Sequence, residues 1–453
     1  MSSRPERRSE LAATLRLAWP LVISQIAAVG QHVIEIVLAG HLDAHVLAAV
    51  AIGTNVVMIP LMAMIGTMYA TPASVAQLDG AGQRRRVAAL GVQAAWLGLL
   101  IGLLMLAIVR WGGPFLVDLA GIPPSLAADV TRFLHAVCFA MPAIGLFVAC
   151  RGVSDGVSMP APSMVLSLAG LVLLLPLGYV LMYGAFGLPR LGAAGTGYAG
   201  AIVNWMQALV YFAFLRFAPR YRGIGWAEAR RLRPDPAVMM GLLRVGVPMG
   251  VAALMEVGMF SLAGLAIGRL GEIAAASHQV AMSAASVTFM VPLGLASAIT
   301  VRVGNAAGRR DPAGIRRAGF TGFALVACTQ TISAIVMLSA PAWIAELYTG
   351  DPRVVAGVTL LLQIAGVFQL SDGLQVACNG ALRGLKDTRV PMLLTAIAYW
   401  GVGVPLGLLL AFAAGWRTPG MWIGLTVGLT TAAALLGGRF VLSTRRRAAV
   451  AVA

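Results

Sequence analysis

Long stretches of this chain run without a charged residue, well past the roughly 20 residues a helix needs to cross a bilayer. Among them are Val87–Val109, Leu191–Leu215, Ala318–Ala345, Val390–Trp416 and Thr418–Gly438. Two longer uncharged stretches, Ala44–Leu78 and Gly156–Pro189, hold one span each plus its flanks. Hydrophobic residues make up 59% of the 453 and charged residues only 11%, far from the balance of a soluble domain. The chain therefore reads as an all-α integral membrane protein. Coarse spans fall at 15–38, 46–71, 88–110, 129–150, 162–184, 194–216, 243–268, 276–300, 318–341, 355–379, 389–414 and 419–441.

A net charge of +16 invites a nucleic-acid partner. The placement of the charge excludes one. With the N-terminus inside and twelve spans, 27 of the 33 Arg and Lys residues fall in inside segments, in clusters such as Arg84–Arg86, Arg309-Arg310 and Arg445–Arg447. Outside segments hold only Arg110, Arg132, Arg190, Arg269, Arg353 and Arg417. This asymmetry is the positive-inside rule, and it places both termini in the cytoplasm. The first apolar run has no small-residue cleavage site near its end and reads as an uncleaved span. The four cysteines, Cys138, Cys150, Cys328 and Cys378, lie in apolar runs without metal or disulfide spacing and read as small buried hydrophobes.

The two halves repeat each other at an offset of 226–229 residues. Val148-Ala149-Cys150-Arg151-Gly152 matches Val376-Ala377-Cys378-Asn379-Gly380, Pro176-Leu177-Gly178 matches Pro405-Leu406-Gly407, and Pro20 pairs with Pro248. An ordered series at near-constant offset specifies an internal duplication. Six spans per half return the chain to its starting side. The expected architecture is thus two six-helix bundles related by a pseudo-two-fold axis along the membrane normal, with a binding site between them. The domains are residues 1–217 and 243–453, joined by a basic cytoplasmic linker at 218–242.

Three of the 17 acidic residues lie inside apolar stretches: Glu35, Glu256 and Asp372. A carboxylate within a span costs about 2.5 kcal/mol or more and marks an ion or substrate path. Glu256 lies 12 residues from Arg244 and 13 from Arg269, near mid-membrane depth. It reads as a functional carboxylate, or as a neutral acid bonded to a neighbouring helix. Asp372 shares one helical face with Gln369 and Gln375 at i, i+3 spacing, a polar stripe that demands polar partners or a wet cavity. Glu35, three residues after His32, lies nearer the outer end of its span, where a solvated interfacial glutamate is the competing reading. Burial favours a protonated carboxyl and an arriving cation favours an ionised one, so such a group exchanges H⁺, Na⁺ or a cationic substrate. Other polar residues in spans, such as Asn204, Gln207, His278, Gln279 and Gln330, read mostly as interhelical hydrogen bonds.

Several segments together resemble one family. They are Val37-Leu38-Ala39-Gly40, Val75-Ala76-Gln77-Leu78-Asp79-Gly80-Ala81-Gly82, Ser154-Asp155-Gly156, Ala276-Ser277-His278-Gln279-Val280-Ala281, Arg302-Val303-Gly304 and Leu382-Arg383-Gly384-Leu385-Lys386-Asp387. Over essentially its whole length the chain resembles the multidrug and toxic compound extrusion transporters, in their NorM-like branch. The resemblance implies a V-shaped pair of six-helix bundles that exports drugs and organic cations in exchange for Na⁺ or H⁺. The Arg-rich, Lys-poor composition points to a bacterial source, so the expected location is a bacterial inner membrane, and a monomer is expected. No cofactor beyond that ion and no enzymatic activity is implied. In that branch a glutamate of span seven and an aspartate of span ten form the cation site of the second lobe, and Glu256 and Asp372 match them as Na⁺ candidates. Phe368, Gln369, Gln279 and Gln375 are cavity or supporting candidates around them. Three positions depart from the branch. The first-span acid is Glu35 instead of aspartate, Phe368 replaces a tyrosine beside Asp372, and Leu174 aligns with an asparagine of span five.

Three alternatives share parts of this pattern. A major-facilitator antiporter shares the six-plus-six plan and a basic segment between spans two and three, but Asp79 is not followed directly by Arg. A lipid-linked precursor flippase would line its cavity with basic residues, and here none falls deep inside a span. A membrane-embedded enzyme or scaffold lacks support from any metal cluster, nucleophile triad or phosphate loop on the spans.

Overall fold

The computed structural model describes residues 4–225 and 233–452. Its helices are α1 (Arg4–Leu42), α2 (Ala44–Met68), α3 (Ala70–Gly80), α4 (Val87–Ala107), α5 (Gly113–Leu119), α6 (Pro124–Val137), α7 (Ala140–Gly156), α8 (Ala161–Tyr183) and α9 (Ala193–Phe217). There follow α10 (Pro236–Gly268), α11 (Glu272–Gly308), α12 (Pro312–Ser339), α13 (Pro341–Glu346), α14 (Pro352–Gly384), α15 (Arg389–Ala396), α16 (Val404–Leu408) and α17 (Arg417–Val452). Among the described residues, eleven helical segments are long and apolar enough to cross a membrane, or twelve if α6 and α7, bent by 40°, are counted as one broken span.

The helix ends explain why so many acids sit at the edges of apolar runs. Asp43 accepts from the backbone N–H of His45, Asp311 from that of Gly314 and Asp351 from that of Arg353, at the starts of α2, α12 and α14. Asp235 does the same for α10 through Ala237. Each side-chain oxygen satisfies a backbone donor that the helix leaves unpaired. These aspartates serve the fold, which sets apart the carboxylates that cap nothing.

The chain divides into two compact units, Ile23–Gly250 and Met1–Val22 with Val251–Ala453. In the first, α7 packs against α4 and α9, and α9 also receives α6 and α8. The backbones of Gly98 on α4 and Gly145 on α7 touch, and a Cβ on either would overlap the other helix. In the second, α14 is the central helix, packed by α11, α12 and α17. There a Cβ on Gly424 of α17 would overlap the backbone of Gly407 of α16. Small residues set such approaches in membranes, where lipid removes any hydrophobic drive between helices. Ile59, Val172, Leu265 and Ile332 are exposed on the spans, as a surface facing hydrocarbon requires.

The duplication is visible in the backbone itself. Left-handed residues recur 228 positions apart: Gly82 with Arg310, Ser158 with Lys386, and Gly187 with Gly415. The turns that end α7 and α14 share their hydrogen bonds as well. Ser158 N–H bonds Asp155 C=O and Met159 N–H bonds Ser154 C=O, while Lys386 N–H bonds Arg383 C=O and Asp387 N–H bonds Leu382 C=O. The halves differ in the span after these turns. α8 is one continuous α-helix, whereas α15 passes into π turns at Ile397–Gly403 and, beyond α16, at Leu409–Ala413.

Some expectations need adjustment. The span expected at 129–150 breaks near Cys138 and continues to Gly156. α10 begins at Pro236, inside the stretch 218–242 expected as a linker, of which residues 226–232 lie outside the described residues. Cys138, Cys150 and Cys378 are buried, but Cys328 is exposed on α12.

Candidate ion-coupling site

The polar stripe of α14 is buried against three neighbours. Gln369, Asp372 and Gln375 are 0%, 4% and 0% exposed. Gln369 donates through Nε2 to the carbonyl of Ala285 on α11, at 3.1 Å. Gln330 of α12 donates to the Gln369 side-chain oxygen at 2.7 Å and to its carbonyl at 3.1 Å. Gln375 donates to the hydroxyl of Tyr399, which is fully buried. Tyr399 lies in the first π turn after α15. Such turns insert an extra residue into the helical ladder and collect at functional sites.

Glu256, half-buried on α10, joins this group electrostatically. Its charge acts on Asp372 and on Tyr399, and that of Arg383 acts on Glu256. Two oxygens at the centre, Asp372 Oδ1 and Gln375 Oε1, are buried and accept no hydrogen bond from any described residue. Buried acceptors are nearly always paired, so orphaned ones require an explanation. One is a carboxyl oxygen and the other an amide oxygen: the carboxyl fits a proton or a small hard cation, and the amide oxygen fits a hydrogen bond or that cation. The arrangement brings together Glu256, Asp372, Gln369 and Gln375.

Phe368 is 2% exposed and turns toward aromatic neighbours, with ring centroids 6.1 Å from Phe260 and 5.4 Å from Trp422. Trp422 in turn donates to Nδ1 of His278 at 3.1 Å. Gln279 is exposed on α11 and stands apart from the buried stripe.

Glu35 belongs to the other unit. It is half-buried on α1, with His32 Nδ1 3.9 Å from Oε2. Its Oε1 lies so close to α9 that a Cβ on Gly200 would be 3.2 Å away. Asn204 donates to the carbonyl of that glycine, and Gln31, one turn before Glu35, donates to Ser167 C=O at 3.4 Å. Leu174 is buried at 2% exposure.

Sequence reasoning missed two features. Tyr399 sits within the uncharged run Val390–Trp416, and its i+24 relation to Gln375 leaves no periodic trace. The second is a buried ion pair near the end of α7. Arg151 Nε lies 3.2 Å from Asp155 Oδ2, with side chains 17% and 8% exposed. The sequence had placed Arg151 among the inside charges. Ser163 donates to the other Asp155 oxygen at 2.8 Å and shares a 2.6 Å bond with Tyr211. Ser154, next in sequence, bonds the hydroxyl of Tyr221, which lies beyond the spans and whose phenol is pushed above its ordinary pKa by burial. The cue was available as an i, i+4 Arg–Asp pair.

The comparisons place these features. The MatE family model matches residues 20–180 and 248–409, one match in each half. A probable multidrug resistance protein NorM of Xanthomonas campestris pv. campestris is 43% identical over 459 residues, covering 98% of this chain and 97% of that protein. The multidrug resistance protein PmpM of Pseudomonas aeruginosa is 39% identical, covering 97% and 93%. The crystal structure of the eukaryotic MATE transporter AtDTX14 superimposes with a TM-score of 0.87 at 21% identity, covering 97% of this chain and 98% of that one. The bent form of the Vibrio cholerae MATE transporter VcmN gives 0.87 at 17% identity, covering 98% and 99%. A family match across both halves, relatives matched over nearly their whole length, and a shared fold lead to one assignment: the chain belongs to the multidrug and toxic compound extrusion family, in its NorM-like branch.

Proposed function

We propose that this protein is a multidrug efflux transporter that exports amphipathic organic compounds, chiefly cations, in exchange for Na⁺ or H⁺. The names of the relatives support the export of drugs. The observation that carries the coupling is the pair of orphaned oxygens, Asp372 Oδ1 and Gln375 Oε1, beside a second interacting carboxylate, Glu256. Two interacting carboxylates on neighbouring spans repel when both are charged, and a proton or cation between them removes that repulsion. Ion arrival at Glu256 and Asp372 shifts the population away from the drug-loaded conformation, and drug leaves outside. Each positive charge moving inward contributes about 2.3 kcal/mol per 100 mV of membrane potential. Glu35 supplies a second, separate carboxylate in the other unit. The positive-inside asymmetry supports cytoplasmic termini in a bacterial inner membrane, and the transporter works as a monomer without nucleic-acid partners.

The major-facilitator and flippase readings are not favoured, since the family match spans both halves. The deciding experiment is dye efflux from proteoliposomes driven in turn by a pure Na⁺ gradient and a pure proton gradient. Efflux under either one identifies the coupling ion. Its absence under both overturns the reading.

A further inference from the structure

The ion pair of α7 plays no part in the coupling scheme, yet among the described residues of its unit it is the most enclosed charge pair. A buried ion pair returns little net stability against its desolvation, so its retention calls for another role. Its connections suggest which. Arg151 uses two different N–H groups. Nε engages Asp155, and Nη2 donates to the side-chain oxygen of Gln25 on α1 at 2.8 Å. Asp155 is held in turn by Ser163 of α8. Ser163 donates its proton to Asp155, so Tyr211 of α9 must donate to Ser163. Every member of the chain from α9 to α1 is therefore oriented. Gln25 lies ten residues before Glu35 on one continuous helix, a rise of about 15 Å. Further along that helix, Gln31 bonds Ser167 C=O and Tyr183 bonds Leu38 C=O, both from α8.

We propose that Arg151, fixed by Asp155, is a positioning residue for the export cycle: through Gln25 it sets the depth and rotation of α1, the helix that presents Glu35 to Gly200 of α9. The duplicated fold supports this. Asp155 and Arg383 occupy the same position of the repeated helix-end turn, 228 residues apart, with matching backbone bonds. In the second half that position carries a charge felt by Glu256. In the first half the charge is neutralised by Arg151 and spent on helix placement. The inference rests on the efflux reading and assigns it a component outside the Glu256–Asp372 group.

A double-mutant cycle tests it in the full-length protein. Gln25→Leu removes the acceptor. Arg151→Lys keeps the charge but replaces a fork that serves two partners with a single point charge. We expect each variant, checked for monodisperse folding in detergent, to lower the maximal dye-efflux rate about tenfold while the half-saturating dye concentration stays within about twofold. The double variant should be no slower than the slower single, because one connection has been cut twice. Wild-type rates in both single variants overturn the proposal, and so do losses that multiply in the double variant. Asp372→Asn run in parallel separates the two readings. If it alone abolishes efflux, the efflux reading stands and the clamp falls. If all variants export normally, the coupling scheme itself has failed.

Discussion

Gln375 on α14 donates its side-chain amide to the hydroxyl of Tyr399 in the π turn after α15, joining two spans inside the second unit. With one lone pair of that hydroxyl taken by an amide hydrogen, its own hydrogen is free to point at an acceptor. The charges of Glu256 and Asp372 both act on it. A buried hydroxyl thus stands in the carboxylate group even though Phe368, where the resemblance implies a tyrosine, carries none. Phe368 spends its surface on Phe260 and Trp422 instead.

Tyr399→Phe removes only that hydroxyl and should leave packing intact. The Gln375 amide then loses its acceptor. Interhelical hydrogen bonds in membranes are worth about 1 kcal/mol, so the loss in stability should be of that order in reversible denaturation. Efflux should fall about tenfold or more, because the charges of the coupling carboxylates also act on that hydroxyl. An unchanged efflux rate with the expected loss in stability would make Tyr399 a structural residue alone.

Asp372→Asn and Glu256→Gln keep shape and hydrogen-bonding capacity while removing charge. Each should reduce ion-driven efflux to background, at least about a hundredfold, while the protein still inserts and binds drug. The readout is dye efflux beside equilibrium dye binding on the same preparation. Full resistance to drug in cells expressing either variant would remove these residues from the coupling step.

The parts of this protein that obey a period were legible in its sequence, and the parts that depend on meeting across the fold were not. Uncharged runs such as Val87–Val109 announced spans because hydrocarbon tolerates nothing else at that length. The offset linking Pro20 with Pro248 announced a duplication that the backbone repeats in the left-handed pair Ser158 and Lys386. Asp372 and Gln375 were legible as a stripe because both lie on one helix. Tyr399 was not, since a π turn changes which face a residue presents and apolar neighbours give no cue to it. Asp155 was hidden for a different reason. It sits where span ends usually carry solvated charge, and only the fold reveals Ser163 and Arg151 closing over it.

The contact of α16 with α17 gives a stability prediction with an internal control. A Cβ on Gly424 would overlap the backbone of Gly407, whereas one on Gly438, further along α17, would meet nothing within 4 Å. Gly424→Val should destabilise by about 1–3 kcal/mol or prevent assembly, as overpacking does when neither backbone can retreat. Gly438→Val should be close to neutral. Thermal unfolding in detergent distinguishes them, and equal midpoints would show that the helices do not approach as described.

Glu35 and Gly200 provide a graded test of the separate carboxylate. Glu35→Gln removes its charge without changing its size. Gly200→Ala leaves the glutamate intact but puts a methyl 3.2 Å from Oε1, so the carboxylate must move by a few tenths of an ångström. Gly200 already packs in a buried stretch of α9, and alanine is the better helix former by about 1 kcal/mol, so stability should hold or rise. If Glu35 acts in transport, Glu35→Gln should cut the efflux rate about tenfold and Gly200→Ala by a smaller factor with unimpaired stability. His32, 3.9 Å from the carboxylate, allows a further separation. His32→Gln removes the only ring in that pair, and a rate close to wild type in this variant alone would assign the function to Glu35 and leave the histidine as a neighbour. Normal efflux in both Glu35→Gln and Gly200→Ala would place the whole coupling step in the other unit, at Glu256 and Asp372.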